Sequence, residues 1–155
     1  MKKVFSLSFG FTLIELVVVI AILGVLAAVL VGIINPLKRT NQANDARVKN
    51  DIHLISNAMA AFYLSTNSSG SPYYPASVAA LVPSQLNTEP KDPVTNASYT
   101  TVITPGGCLG TAASPCTDVA VYGTLRDAPS GTVWCWRSST NAVQSYAASS
   151  SCTAP

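Results

Sequence analysis

The chain has 155 residues, only 10% of them charged, and its nine Lys and Arg against seven Asp and Glu leave a net charge of +2. That length suits one small domain beside an extra segment. The near-balanced charge gives no footprint for nucleic acid, which needs clustered Lys and Arg, and a single histidine, His53, excludes most Ser-His and Cys-His catalytic arrangements.

The amino terminus opens with Lys2 and Lys3, reaches Gly10-Phe11-Thr12-Leu13-Ile14-Glu15, and runs on into an apolar stretch over 16–34. That stretch meets the length criterion for a membrane helix. Glu15 therefore stands at the edge of a segment able to cross a bilayer. A carboxylate at the centre of a membrane helix costs roughly 2.5–3.5 kcal/mol, so such residues usually have a partner. A cut after Gly10 would create an amine on Phe11 at the same helix end, a positive charge for Glu15 in the same molecule or a neighbour. A secretory signal peptide fits poorly, because its apolar core is shorter, no acid heads it, and no Ala-x-Ala follows here in GVLAAVLV at 24–31. A plain single-pass anchor satisfies the length criterion too. Lys2 and Lys3 on one side face Lys38 and Arg39 on the other, so charge leaves the orientation open.

Lys2-Lys3, then Gly10, then Phe-Thr-Leu-Ile-Glu-Leu at 11–16 and the Val/Ile/Leu/Ala run resemble the class III signal of type IV pilins and pseudopilins. The likeness is close over residues 1–35 and looser beyond. It implies an α+β, type IV pilin-like fold, in which a long N-terminal helix packs by its C-terminal half on a small antiparallel sheet. The implied parts are a leader over 1–10, a transmembrane or filament-core half-helix over 11–35, and an amphipathic half-helix over 36–65. An αβ-loop over 66–97 and a disulfide-containing sheet over 98–155 follow. The resemblance further implies that a prepilin peptidase cuts after Gly10 and methylates Phe11. Glu15 then attracts the Phe11 amine of a neighbouring subunit during assembly. The implied partners are identical or homologous subunits, the peptidase, an assembly platform and inner-membrane lipid. The precursor would be a single-pass inner-membrane protein, and the assembled product an extracytoplasmic or cell-surface filament. No enzymatic activity, cofactor or metal is expected. Tip-initiating minor pseudopilins often lack the glutamate, so Glu15 favours a shaft subunit.

Within the apolar segment, Gly24, Ala27, Ala28 and Gly32 are small enough for close helix approach. Many type IV pilins carry a proline inside this segment; here Pro36 stands at its end, one turn after Gly32. A proline ring removes a donor and clashes with the carbonyl four residues back, which predicts a kink over 32–36.

After Pro36, Val48, Ile52, Ile55, Met59 and Phe62 recur at helical spacing, and Leu54, Ala58 and Ala61 widen the stripe. Asp45 and Lys49 stand at i,i+4 in the favourable acid-first order, Arg47 and Asp51 in the reverse. A continuous helix over 11–64 would span about 80 Å at 1.5 Å per residue. His53 has polar neighbours and reads as a solvated helix residue. Asn, Ser and Gly over 66–70 end the helix. Tyr73-Tyr74-Pro75, a helical turn over 77–81, and Pro90-Lys91-Asp92-Pro93 then resemble the aromatic-proline entry and Pro-x-Asp-Pro exit of pseudopilins. Period-two strands are predicted over 99–103, 119–126, 132–137 and 142–147. Trp134 and Trp136 share one face of the third strand and Cys135 lies on the other. The tryptophan face either covers the helix or forms an exposed contact surface.

Cys108, Cys116, Cys135 and Cys152 all lie in the last third. An even number in an exported domain reads as disulfides. The spacings lack the tight Cys-x-x-Cys pairs or interleaved histidines of zinc sites. Four cysteines allow three pairings. The preferred one joins Cys108 to Cys116 and Cys135 to Cys152, the second resembling the carboxy-terminal disulfide loop of many pilins. Asp92 and Asp118 are the candidates for a calcium loop, but no Asp-rich calcium pattern is present. Asn67-Ser68-Ser69 and Asn96-Ala97-Ser98 match the glycan-acceptor pattern. Two functions thus compete. One is a filament subunit; the other is a membrane-anchored extracytoplasmic binding module that does not polymerise and holds a ligand near its tryptophans.

Overall fold

The computed structural model describes residues 10–33, 35–67 and 70–153. Lys2, Lys3 and the rest of the expected leader before Gly10 lie outside them, as do Ser68 and Ser69 of the first acceptor pattern. The chain divides into two compact units, Met1–Leu37 and Lys38–Pro155. Helix α1 covers Leu13–Ile33, and helix α2 covers Pro36–Asn67. The break falls where the kink was predicted: Asn35 is not helical and Pro36 opens a new helix. Pro36 has no N–H to offer and its fixed φ suits the first helical position, so it starts α2 rather than continuing α1. Ile34 lies outside the described residues.

The second unit is built on one face of α2. Val48, Ile52, Ile55 and Met59 are fully buried and Ala58 nearly so. They meet Val119, Val121 and Trp136 from a sheet, together with Val78, Leu81 and Leu86 from the segment between helix and sheet. Leu54 does not join this stripe. It is 47% exposed and borders an open cavity with Gln85, Leu86, Asn87 and Thr88.

The sheet is a four-stranded antiparallel meander, β1 (Thr100–Thr104), β2 (Asp118–Thr124), β3 (Val133–Arg137) and β4 (Ala142–Tyr146), in that spatial order. All four strands fall within one or two residues of their predicted positions. Alternation sends Val119, Val121, Trp134 and Trp136 toward α2, and Ala120, Val133 and Cys135 to the opposite face. Trp136 is buried, and its indole donates to Asn141 Oδ1 at 3.3 Å. Trp134 is half-covered, with Lys49 Nζ 5.1 Å from its ring centroid. The tryptophan face is therefore packing surface. Gly123 on β2 sets how closely α2 can approach, since a Cβ there would lie 2.7 Å from both Val48 and the Tyr99 ring. Together these elements form the α+β arrangement that the resemblance implies.

Two disulfides brace the sheet. Cys108 is bonded to Cys116, closing the loop between β1 and β2, and Cys135 to Cys152, tying the chain's end to β3. In the chain-entropy model a loop of such size contributes roughly 3 kcal/mol. The first loop sits against the segment before it. A Cβ on Gly110, whose φ is +63°, would collide with the Ala76 backbone nitrogen, and the Tyr74 N–H donates to the Cys116 carbonyl at 2.9 Å.

Polar contacts lock α2 to the loops. Asp45 is buried and accepts the backbone N–H groups of Arg126 at 2.7 Å and Asp127 at 2.9 Å. The pair expected between Asp45 and Lys49 is not formed, because Asp45 faces the turn after β2. The reverse-order pair is the one observed, with Arg47 Nε 4.0 Å from Asp51 Oδ2. Asp51 also accepts the Tyr99 hydroxyl at 2.8 Å. Burial and this carboxylate push the Tyr99 phenol well above its ordinary range.

Arg126 grips Asp92 with both guanidinium nitrogens, at 2.8 and 3.2 Å. Asp92 Oδ1 also accepts the N–H groups of Val94 and Thr95. Burial alone would raise the Asp92 carboxyl, but the bonds from Arg126, Thr95 and Val94 outweigh it and bring it from 3.8 to about 2. A carboxyl depressed in the folded state stabilises the fold above its unfolded value and loses that contribution as pH falls through the folded value. Thermal melts should therefore show this contribution intact at pH 5 and lost between about pH 4 and pH 2. After discounting for solvent screening it is worth about 1 kcal/mol. An Arg126→Gln chain should show a shallower acid dependence over that window.

Candidate functional site

The site begins at the first turn of α1. Thr12 immediately precedes Leu13, the first helical residue, and Glu15 stands three positions after Thr12. The Glu15 N–H lies 3.3 Å from Thr12 Oγ1, and the Thr12 N–H lies 3.4 Å from Glu15 Oε2. This is a capping box, Thr at the cap and Glu at the third helical position, in which each side chain satisfies the other's backbone donor. The distances lie at the weak end of hydrogen bonding. An acid in the first turn also suits the positive end of the helix dipole.

Thr12 is the residue that sequence reading missed as a site member. Its signal, T-x-x-E directly ahead of an apolar run, is present in the sequence, but membrane insertion cost draws attention to Glu15 alone. The structure brings Thr12 and Glu15 together at one helix end, with Gly10 and Phe11 just before them in the chain. Gly10 is exposed and Phe11 is 83% exposed, so the bond between them is open to a peptidase.

From there α1 is apolar on every side. Leu13–Leu30 is an 18-residue window able to cross a membrane by length and composition, and none of it is buried. The helix's 21 residues span about 31 Å, close to the ~30 Å hydrocarbon thickness. A helix with no polar side requires lipid or other apolar helices as its surroundings. A Cβ on Gly24 would meet nothing, so this position can accept close approach from outside.

The other sequence candidates lie in the second unit, each with a local structural contact. Both carboxylate oxygens of Asp92 are taken by Arg126, and Asp118 accepts the Ser138 hydroxyl at 3.1 Å. No group of three metal-ligating side chains occurs among the described residues. His53 is exposed on α2. Asn96 is exposed with a φ of 55°, at the tip of the turn that Asp92 organises.

Residues 6–31 match a family profile described as the prokaryotic N-terminal methylation motif. No curated protein and no solved structure matches the chain. The matched residues contain Gly10, Phe11, Thr12 and Glu15 and most of α1. Residues 6–31 therefore carry the class III signal of type IV pilins and pseudopilins, which marks a precursor for peptidase processing.

Proposed function

We propose that the chain is a structural subunit, pilin or pseudopilin, of a type IV pilus-like filament. It is inserted in the inner membrane through α1, cut after Gly10 by a prepilin peptidase and methylated on Phe11. It then assembles with identical or homologous subunits on an assembly platform, ending in an extracytoplasmic or cell-surface filament. The observation that carries this reading is the joining of the methylation motif to a helix whose apolar window Leu13–Leu30 is uncovered. The same surface serves twice, facing lipid before assembly and neighbouring helices after it. Glu15 supplies register: cleavage gives Phe11 an ammonium, and the carboxylate of one subunit attracts the ammonium of the next.

A non-polymerising binding module draws less support, because the tryptophans offered as its platform are taken up by packing on α2. The intact mass of the chain recovered from native membranes tests the reading. A chain beginning at Phe11 and heavier by one methyl group is expected. A chain that still begins at Met1 would sink it.

A further inference from the structure

Four of the chain's nine Lys and Arg fall between residues 38 and 49, at the start of α2. The acids among and just after them face inward. Asp45 is committed to the amides of Arg126 and Asp127, and Asp51 to Tyr99 and Arg47. Lys49 lies over the Trp134 ring. Lys38 and Arg39 are both exposed and are the cations nearest to α1 in sequence. Arg39 donates to the neutral amide of Gln42 at 3.4 Å, Gln42 in turn donates to Asp127 Oδ2 at 3.1 Å, and no direct ion pair to Arg39 is found among the described residues.

Chain length limits how far this pair can lie from the end of α1. If α1 fills the hydrocarbon layer, its end at Ile33 coincides with the far boundary. The two residues between the helices and the first turn of α2 then keep Lys38 and Arg39 no more than about 15 Å further along the chain. Their aliphatic stems reach back across part of that distance. Both charges are thus within reach of the headgroup layer.

Resting on the membrane-inserted reading of α1, we propose that Lys38 and Arg39 bind anionic phospholipid headgroups in the leaflet where α1 ends. Cleavage after Gly10 would remove Lys2 and Lys3, leaving this pair as the cationic flank of the mature membrane segment. At the strength typical of juxtamembrane cations, two residues give roughly tenfold to thirtyfold preference for anionic over zwitterionic lipid.

The test uses the full chain, as K2Q/K3Q, purified in mild detergent with equal phosphatidylglycerol and phosphatidylcholine and read by native mass spectrometry. Phosphatidylglycerol adducts should dominate by roughly tenfold, fall to parity when K38Q/R39Q is added, and persist in K49Q. They should also survive millimolar inorganic phosphate. Preference that survives K38Q/R39Q, parity at the outset, or displacement by phosphate would each overturn the proposal. So would K38Q/R39Q abolishing chain dimers while lipid adducts remain, which would assign the pair to a second copy. Alkaline carbonate washing of membranes separates the two levels. A chain that washes off refutes insertion itself, whereas one that stays without lipid preference refutes only the headgroup site.

Discussion

A Glu15→Ala chain is expected to be inserted, cut and methylated, yet to yield filaments at least a hundredfold less abundantly. In the proposed filament the carboxylate would face its partner in a low-dielectric environment. Removing one member of a buried ion pair costs about 3–5 kcal/mol, which corresponds to a factor of hundreds or more in the contact's equilibrium constant. The loss recurs at every subunit interface, so yield is a sensitive reading. Glu15 has a second role, in the cap with Thr12, and the two roles can be separated. Glu15→Gln keeps a side chain that completes a capping box but carries no charge. It should assemble as poorly as Glu15→Ala. Thr12→Ala removes only a cap, worth about 1 kcal/mol, and should assemble at a modestly reduced level. The ratio of chain in sheared filaments to chain in membranes, measured by immunoblot, distinguishes these outcomes. Normal yield from Glu15→Gln would remove the ion pair from the mechanism.

The second large effect is on stability. Asp45→Ala should lower the stability of the second unit by about 3–5 kcal/mol, because hydrogen bonds to a charged group contribute roughly 1.5–3 kcal/mol each and Asp45 accepts two. The turn after β2 would lose its hold on α2. The neighbouring bond from Gln42 to Asp127 and the grip of Arg126 on Asp92 would lose their framework with it. Asp45→Asn retains one acceptor oxygen and should cost about half as much. Lys49→Ala is the control: without an ion pair to Asp45 it should lose only its contact with Trp134, about 1 kcal/mol or less. Urea unfolding of the full chain, followed by tryptophan fluorescence, reads the differences, since Trp136 is buried in the same core. Equal midpoints for the parent and Asp45→Ala would show that the amide contacts carry no net stability.

What the sequence revealed followed the range of the interactions involved. The buried face of α2 was readable because Val48, Ile52, Ile55 and Met59 repeat at the helix's own period, a local property. The four strands were readable for the same reason, from period-two alternation bounded by turn residues. Pro36 announced the break because its clash involves only the preceding turn. Asp45 shows where such reading stops. The i,i+4 rule offers Lys49, whereas the true partners lie 81 and 82 residues away and become adjacent only when the sheet docks on α2. Arg126 and Asp92, 34 residues apart, were hidden for the same reason. Leu54 misled because it borders the apolar stripe in sequence, while in the fold it stays 47% exposed beside Gln85, Leu86, Asn87 and Thr88. At the functional end, Glu15 stood out through its cost in lipid. Thr12 needed the cap geometry to be noticed.

Electron cryo-microscopy of filaments sheared from the native cells, with the subunit identified from side-chain density and mass, addresses the central claim directly. The α1 helices should form the filament core, each subunit should begin at Phe11, and the Glu15 carboxylate should lie within ion-pair distance, about 4 Å or less, of a neighbouring Phe11 amine. Filaments lacking this chain, or an α1 exposed on the filament surface with Glu15 far from any amino terminus, would contradict it.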